Sequence, residues 1–194
     1  MKFCSHCGSS ISRKIPDGDN RERHVCSGCK VIHYNNPRII TGSIPVYRDT
    51  DGDKLLLCRR AIEPQLGLWT LPAGFLELGE SVSEGAARET TEETGAVVTM
   101  GELYCLFNLP HIGQVYMLHR AQLLTPEFAQ KTDESLEVAL FAEHEIPWQK
   151  LAFRTMKRTL FHYFNDCKQG VFPLRIEDIG PPPQDPIYNK PAPR

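Results

Sequence analysis

The stretch Gly74-Phe75-Leu76-Glu77-Leu78-Gly79-Glu80-Ser81-Val82-Ser83-Glu84-Gly85-Ala86-Ala87-Arg88-Glu89-Thr90-Thr91-Glu92-Glu93-Thr94-Gly95-Ala96 decides how this chain is read. Ser81 and Glu84 stand in the S-x-x-E arrangement of a capping box, and Gly95 stands where a left-handed C-terminal cap belongs. The spacing predicts a helix from about Val82 to Thr94. On a helical wheel Val82, Ala86, Thr90 and Thr94 form a small, weakly apolar stripe, with Glu89, Glu92 and Glu93 beside it. Like charges at i, i+3 and i+4 destabilise a helix by a few tenths of a kcal/mol per pair. Gly85 costs about 1 kcal/mol more relative to alanine. Local rules fail in this way at functional sites.

A divalent cation resolves the conflict. Carboxylates are hard oxygen ligands suited to Mg²⁺ or Mn²⁺. Gly85, without a side chain, is expected to leave room for metal or diphosphate. Arg88 can pair with Glu84 or Glu92 and hold the acids in place. The bland alternative, a solvated acidic face, explains three acids at helical spacing but not the fixed Gly, Glu and Arg offsets around them. Those offsets resemble the Nudix box, G-x5-E-x7-R-E-U-x-E-E-x-G-U with U a bulky aliphatic. Gly74, Glu80, Arg88, Glu89, Glu92, Glu93 and Gly95 match it, while Thr90 and Ala96 depart from the aliphatic preference.

The resemblance implies an α/β fold: a Nudix α/β/α sandwich with a mixed sheet. It implies a diphosphatase that hydrolyses nucleoside diphosphates linked to another group. It further implies Glu89 and Glu93 as direct Mg²⁺ or Mn²⁺ ligands, Glu92 close by, and the carbonyl of Ala73 as a further ligand. Glu80 would act on the metal through water or orient Arg88. The general base varies in the family. Glu134 and Glu137 are the candidates here, with ordinary surface acids as the alternative.

A second signal is Cys4-Ser5-His6-Cys7 and Cys26-Ser27-Gly28-Cys29, the two pairs separated by 18 residues. This spacing predicts a structural Zn²⁺ site with four thiolate ligands, Cys4, Cys7, Cys26 and Cys29. So small a unit needs the metal for stability. His6 and His24 flank the cysteines and could substitute as ligands, but four thiols suffice. Disulfides and a redox C-x-x-C pair are the rival readings. The first residues contain no apolar signal region, which weighs against the disulfides.

Three segments are expected: a zinc ribbon over 1–36, a Nudix hydrolase domain over 37–179 and a proline-rich tail over 180–194, which holds six prolines. Predicted strands cover 39–47, 54–59, 96–100, 103–109, 114–123 and 137–142, with an Asp-Gly turn at 49–53. Trp69 to Pro72 leads into the box and 146–151 is a connector. A second helix is expected over 153–167, with Met156, Leu160, Phe164 and Cys167 on one face. Cys58, Cys105 and Cys167 read as core thiols in a reducing compartment, so a cytoplasmic location is expected. No apolar run reaches membrane-spanning length. A net charge of −2 argues against general attraction to nucleic acid. A homodimer is the expected assembly, because many members of the resembled family are dimers.

The likeness extends to Gly67–Phe75, Leu109–Tyr116 and Glu134–Phe141, which resemble the zinc-ribbon branch that includes FAD and ADP-ribose pyrophosphatases. NADH-type members carry an S-Q-P-W-P-F-P-x-S array after the box that is missing here. FAD and ADP-ribose therefore rank above NADH, with AMP as a product. Trp69, Phe75, Phe107 and Tyr116 are candidates to stack on the bases, core packing being the alternative. Arg59 and Arg60 are candidates to reach phosphate. The other functions in play are cleanup of oxidised nucleotides and a nucleotide- or nucleic-acid-binding module without hydrolysis.

Overall fold

A computed structural model describes residues 1–50 and 52–181. The chain forms two compact units that divide between Pro37 and Arg38. The first is a three-stranded antiparallel sheet, β1 (Ile11–Lys14), β2 (Arg23–Cys26) and β3 (Ile32–His33).

The second unit is built on β4 (Arg38–Asp49), whose residues 40–46 are all buried. Alternation along the strand sends two kinds of side chain to its two faces. Ile40, Ile44 and Val46 enter the main core. Thr41 and Ser43 are small and polar, and they meet the helix of the opening stretch. β5 (Gly52–Arg60), β6 (Trp69–Thr70) and β7 (Ala73–Phe75) follow, then α1 (Val82–Thr94), β8 (Val98–Leu109) and β9 (Gln114–Leu123). The chain closes with β10 (Ser135–Phe141), 3₁₀ turns at Glu143–Glu145 and Trp148–Lys150, α2 (Arg154–Gln169) and β11 (Arg175–Asp178). The sheet order is β10-β5-β4-β9-β8-β11, with β6 paired to β5 and β7 to β4. β4 runs parallel to β9, and β11 parallel to β8. The sheet lies between α1 and α2, whose Met156, Leu160, Tyr163 and Phe164 enter the core beside Ile44, Leu55 and Leu57.

One edge of β4 is shared. Val46 to Asp49 pair with β5, whereas Ile40 to Gly42 pair with β7. Between them Ser43 donates its N–H to the Pro72 carbonyl at 3.1 Å. This handover carries Pro72-Ala73 across the sheet edge towards α1.

Several expectations are corrected. Residues 96–109 form one strand from Val98 instead of two, with irregular register between Met100 and Leu103 that absorbs Gly101. β11 had no sequence signal, because its exposed Ile176 lies between Arg175 and Glu177 on an edge strand. Cys58 and Cys105 are buried, but Cys167 is exposed. Its helical phase is right, but the last residues of α2 extend beyond the buried core. The turn at 49–53 includes Asp51, and the tail expected over 180–194 includes 182–194; these residues lie outside those described.

Candidate active site

α1 is capped at both ends as its sequence requires. The Ser81 hydroxyl accepts from Glu84 N–H at 3.3 Å, and the Glu84 carboxylate accepts from Ser81 N–H at 2.8 Å. Gly95 closes the helix at φ 69°, donating its N–H to the Thr91 carbonyl at 2.7 Å. Glu84 is thereby spent on the cap and takes no part in an Arg88 pair, contrary to one of the two pairings expected.

The helix meets β4 through hydroxyls. Thr41 donates to the Val82 carbonyl at 2.7 Å, and Ser43 and Thr90 share a buried bond of 2.6 Å. Thr90 therefore serves a position that favours an aliphatic residue, because β4 offers it a polar partner. Gly85 is corrected in role: a Cβ there would lie 2.7 Å from Glu80 Oε1 and 2.9 Å from both Leu76 and Thr41. The glycine permits close packing of helix, strand and the Glu80 loop. At Gly74 a Cβ would lie 2.3–2.4 Å from the Glu89 carboxylate, so this glycine makes room for that acid.

Arg88 is the hub. Its Nε and Nη2 donate to the two oxygens of Glu80 at 3.0 and 2.8 Å, its Nη1 to Glu89 at 2.8 Å and to Glu92 at 2.9 Å, and its Nη2 to the Phe75 carbonyl at 3.1 Å. Glu80 also accepts the Glu77 N–H at 2.7 Å, and these bonds hold its carboxyl down at about 2. Both oxygens of Glu80 are thus engaged, one by Nε and the other by Nη2 of Arg88 and the Glu77 N–H.

Glu93 is the opposite case. It is 5% exposed, and its Oε2 accepts the Ala73 N–H at 2.9 Å and lies 3.7 Å from the Cys58 thiol. Among the described residues its carboxylate forms no ion pair. Burial pushes its pKa up to about 8; the Ala73 N–H and the charge of Arg60 work against this, while the charges of Glu89 and Glu134 add to it. Glu89 is raised too, first by burial, although Arg88 opposes the shift. Cys58, buried against this acid, is pushed well above its ordinary value. Two buried carboxylates with a third acid in their field relieve their repulsion by holding a proton, as the raised pKa of Glu93 indicates, or by taking a cation in addition to Arg88. Glu89 and Glu93 are hard oxygen donors beside the Ala73 backbone, a set that fits Mg²⁺ or Mn²⁺. Glu92 is largely exposed and held by Arg88.

The structure separates paired candidates that the sequence left equal. Glu134 acts on both Glu89 and Glu93, whereas Glu137 sits on β10 opposite Arg59 and binds it at 3.0 Å, both half-exposed. Arg59 is thus occupied away from the acids. The neighbouring Arg60 points to the other side of β5 and acts on Glu93. The i, i+2 alternation from Leu56 through Cys58 to Arg60 carried this signal. Trp69 packs edge-on against Phe141 at 4.9 Å, and Phe107 and Tyr116 are also core residues. Phe75 is 46% exposed, with Arg38 over its ring at 5.0 Å.

In the N-terminal unit the sulfurs of Cys4, Cys7, Cys26 and Cys29 all lie within 4.8 Å of one another. Cys4 and Cys29 are 3.7 Å apart and Cys7 and Cys26 3.4 Å. A tetrahedron with Zn–S bonds of about 2.3 Å has sulfurs about 3.8 Å apart, so the cage fits zinc. The four cysteines suffice as ligands, and the Nε2 of a further histidine, His33, lies 3.2 Å from the Cys4 sulfur. Antiparallel pairing of β3 with β2 brings it there, which spacing could not reveal.

Comparison with known proteins adds to this geometry. Residues 2–35 match a family model described as Nudix N-terminal, and residues 37–164 match the NUDIX domain. A crystal structure of a NUDIX hydrolase from Nitrosomonas europaea is 48% identical with a TM-score of 0.88, covering 93% of this chain and 100% of that one. The NAD-capped RNA hydrolase NudC of Pseudomonas aeruginosa is 28% identical over 148 residues, 75% of this chain and 49% of the relative. The mitochondrial NAD(P)H pyrophosphatase NUDT13 of Mus musculus is 34% identical over 97 residues, 50% of this chain and 25% of the relative. The chain spans half or less of the length of these two relatives.

Proposed function

This chain belongs to the NUDIX-domain family, and we propose that it is a divalent-cation-dependent diphosphatase. Its substrate would be a nucleoside diphosphate joined to another moiety, and water would split the diphosphate to release AMP. The observation that carries the reading is Glu93, a buried carboxylate with a raised pKa, one turn from Glu89 on α1 and, among the described residues, without an ion-pair partner of its own. Glu89, Glu93 and the Ala73 carbonyl would hold Mg²⁺ or Mn²⁺, which neutralises phosphate charge and acidifies water when bound. Arg88, anchored by Glu80, fixes Glu89 and Glu92 at the rotamers the site needs. Glu134 is the better placed candidate base, since its charge reaches both buried acids.

FAD and ADP-ribose are the substrates favoured by the segments around the box. The names of the curated relatives favour a second reading, a NAD-type dinucleotide. All share an ADP half, and the catalytic assignment is the same for each. The division of labour places catalysis in residues 37–179 and a structural zinc in residues 1–36. The test is AMP release from FAD, ADP-ribose, NADH and an oxidised nucleoside triphosphate with Mg²⁺ or Mn²⁺, followed by chromatography. The expected result is metal-dependent release of AMP from at least one ADP-containing substrate, at least about 100-fold slower in Glu93→Gln with the fold intact. Equal turnover by that variant contradicts the proposal.

A further inference from the structure

Arg60 is a buried cation whose charge is in no ion pair among the described residues. It is only 9% exposed at the end of β5. Its Nε donates to the Pro64 carbonyl at 2.7 Å, and its guanidinium lies 5.1 Å from the centre of the Phe153 ring. Among the described residues it makes no ion pair. A carbonyl and a ring face orient a guanidinium, but neither cancels its charge, and a buried charge without a counter-charge is costly. Arg59, one residue earlier, satisfies itself with Glu137 in solvent. The same residue type on the same strand is thus paired where exposed and unpaired where buried.

The surroundings of Arg60 indicate what it waits for. Its charge bears on Glu93, Cys58 and Tyr116, which places it at the margin of the acid cluster, close enough to act on Glu93 without bonding to it. The loop from Ala61 to Leu68 is tied back at both ends, with Arg60 N–H bonded to the Leu68 carbonyl at 2.9 Å and Gly67 N–H bonded to the Arg60 carbonyl at 2.9 Å. Ala61 N–H donates to the carbonyl of Glu134 at 2.8 Å, so the segment bearing Arg60 is pinned to the one bearing the candidate base. Nε is committed to Pro64, and the terminal nitrogens of a guanidinium offer a fork that matches phosphate oxygens.

We propose that Arg60 is the anion anchor of the site, binding a phosphate oxygen of the substrate at the margin of the acid cluster. Resting on the function proposed above, this assigns a phosphate contact supplied by the chain itself in addition to any bound cation. It makes Arg60 a determinant of substrate position.

The test uses the full chain with Mg²⁺ and compares calorimetric binding of ADP with that of adenosine, which lacks phosphate. Arg60→Met is expected to weaken ADP at least about 10-fold while leaving adenosine within 2-fold. Arg60→Lys, which keeps the charge but loses the fork, is expected to fall between Arg60→Met and the unsubstituted chain. Thermal unfolding of each variant accompanies the titration. If Arg60→Met does not fold, Arg60→Lys decides: undiminished ADP affinity in it overturns the proposal. So does equal weakening of ADP and adenosine, which marks a packing role, or no ADP binding by the unsubstituted chain. A role only as a distant counter-charge to Glu93 would shift the pH profile and Mg²⁺ affinity while ADP kept its advantage over adenosine; that result also overturns it. The binding readout is independent of turnover. A chain that binds ADP through Arg60 but hydrolyses nothing would sink the diphosphatase and spare the anchor, and the reverse pattern would sink the anchor alone.

Discussion

The chain contains two clusters of acidic ligand groups built on opposite principles. In the N-terminal unit four thiols close on one another from two short segments, one of them starting at the end of β2, and the strands have four residues or fewer. On α1 the carboxylates come from a rigid, doubly capped helix packed on the central strand, and Arg88 and the Ala73 N–H hold them apart. A closed cage of soft ligands leaves no open position, so its energy goes into folding. A cluster of hard ligands on a preformed scaffold keeps positions for water and phosphate, so its energy is available to chemistry. On the proposed reading, a metal would stabilise the fold where the protein is too small to order itself, and would serve a reaction where the protein is already ordered.

Substitution at the cage should have the largest effect on structure and little on chemistry. Cys26→Ser is expected to release zinc and unfold residues 1–37 while the second unit keeps its signals, as read by two-dimensional NMR. Retained ordered signals for β1 to β3 would erase the contrast. Next comes Glu93 and the pH dependence of stability. Its pKa rises from 4.5 to about 8 on folding, so between those values the native state binds more protons than the unfolded chain. Without a divalent cation this group's contribution to stability is therefore greatest below about pH 4.5. It falls as pH rises towards 8, by roughly 3 to 6 kcal/mol at the end of that window. Denaturant titrations should show this slope flattened in Glu93→Gln and by saturating Mg²⁺.

Gly74→Ala sharpens the comparison further, since its methyl would occupy the place of the Glu89 carboxylate. Loss of about 10- to 100-fold in AMP release, with a small change in the unfolding midpoint, is expected. Unchanged activity would mean that Glu89 need not sit where it does. The smallest effects separate Glu134 from Glu137: steady-state rates should drop about 10-fold in Glu134→Gln and stay within about 2-fold in Glu137→Gln.

The acid cluster was legible because helix periodicity is local. Ser81, Glu84 and Gly95 fixed the ends of α1, and its phase then placed Glu89 and Glu93. The strands of the central sheet were legible for a similar reason, since runs such as Leu55-Leu56-Leu57 read as buried strand wherever they pair. What stayed hidden depends on pairing across distance. Gly85 offered no sign of its neighbours, which are Thr41 on β4 and Glu80 on the loop. The split between Glu134 and Glu137 turned on the register of β10 against β5, which sets Glu137 opposite Arg59. β11 pairs in parallel with β8 from far along the chain, which an exposed four-residue strand cannot announce.

The central claim is that the carboxylates of α1 take up hard divalent ions. The most direct measurement is Mn²⁺ titration of the zinc-loaded chain at neutral pH, following free Mn²⁺ by electron paramagnetic resonance, with Glu93→Gln in parallel. Saturable Mn²⁺ uptake by the unsubstituted chain, weakened at least about 10-fold in the variant, is the predicted result. Equal uptake by both proteins, or none by either, would contradict it.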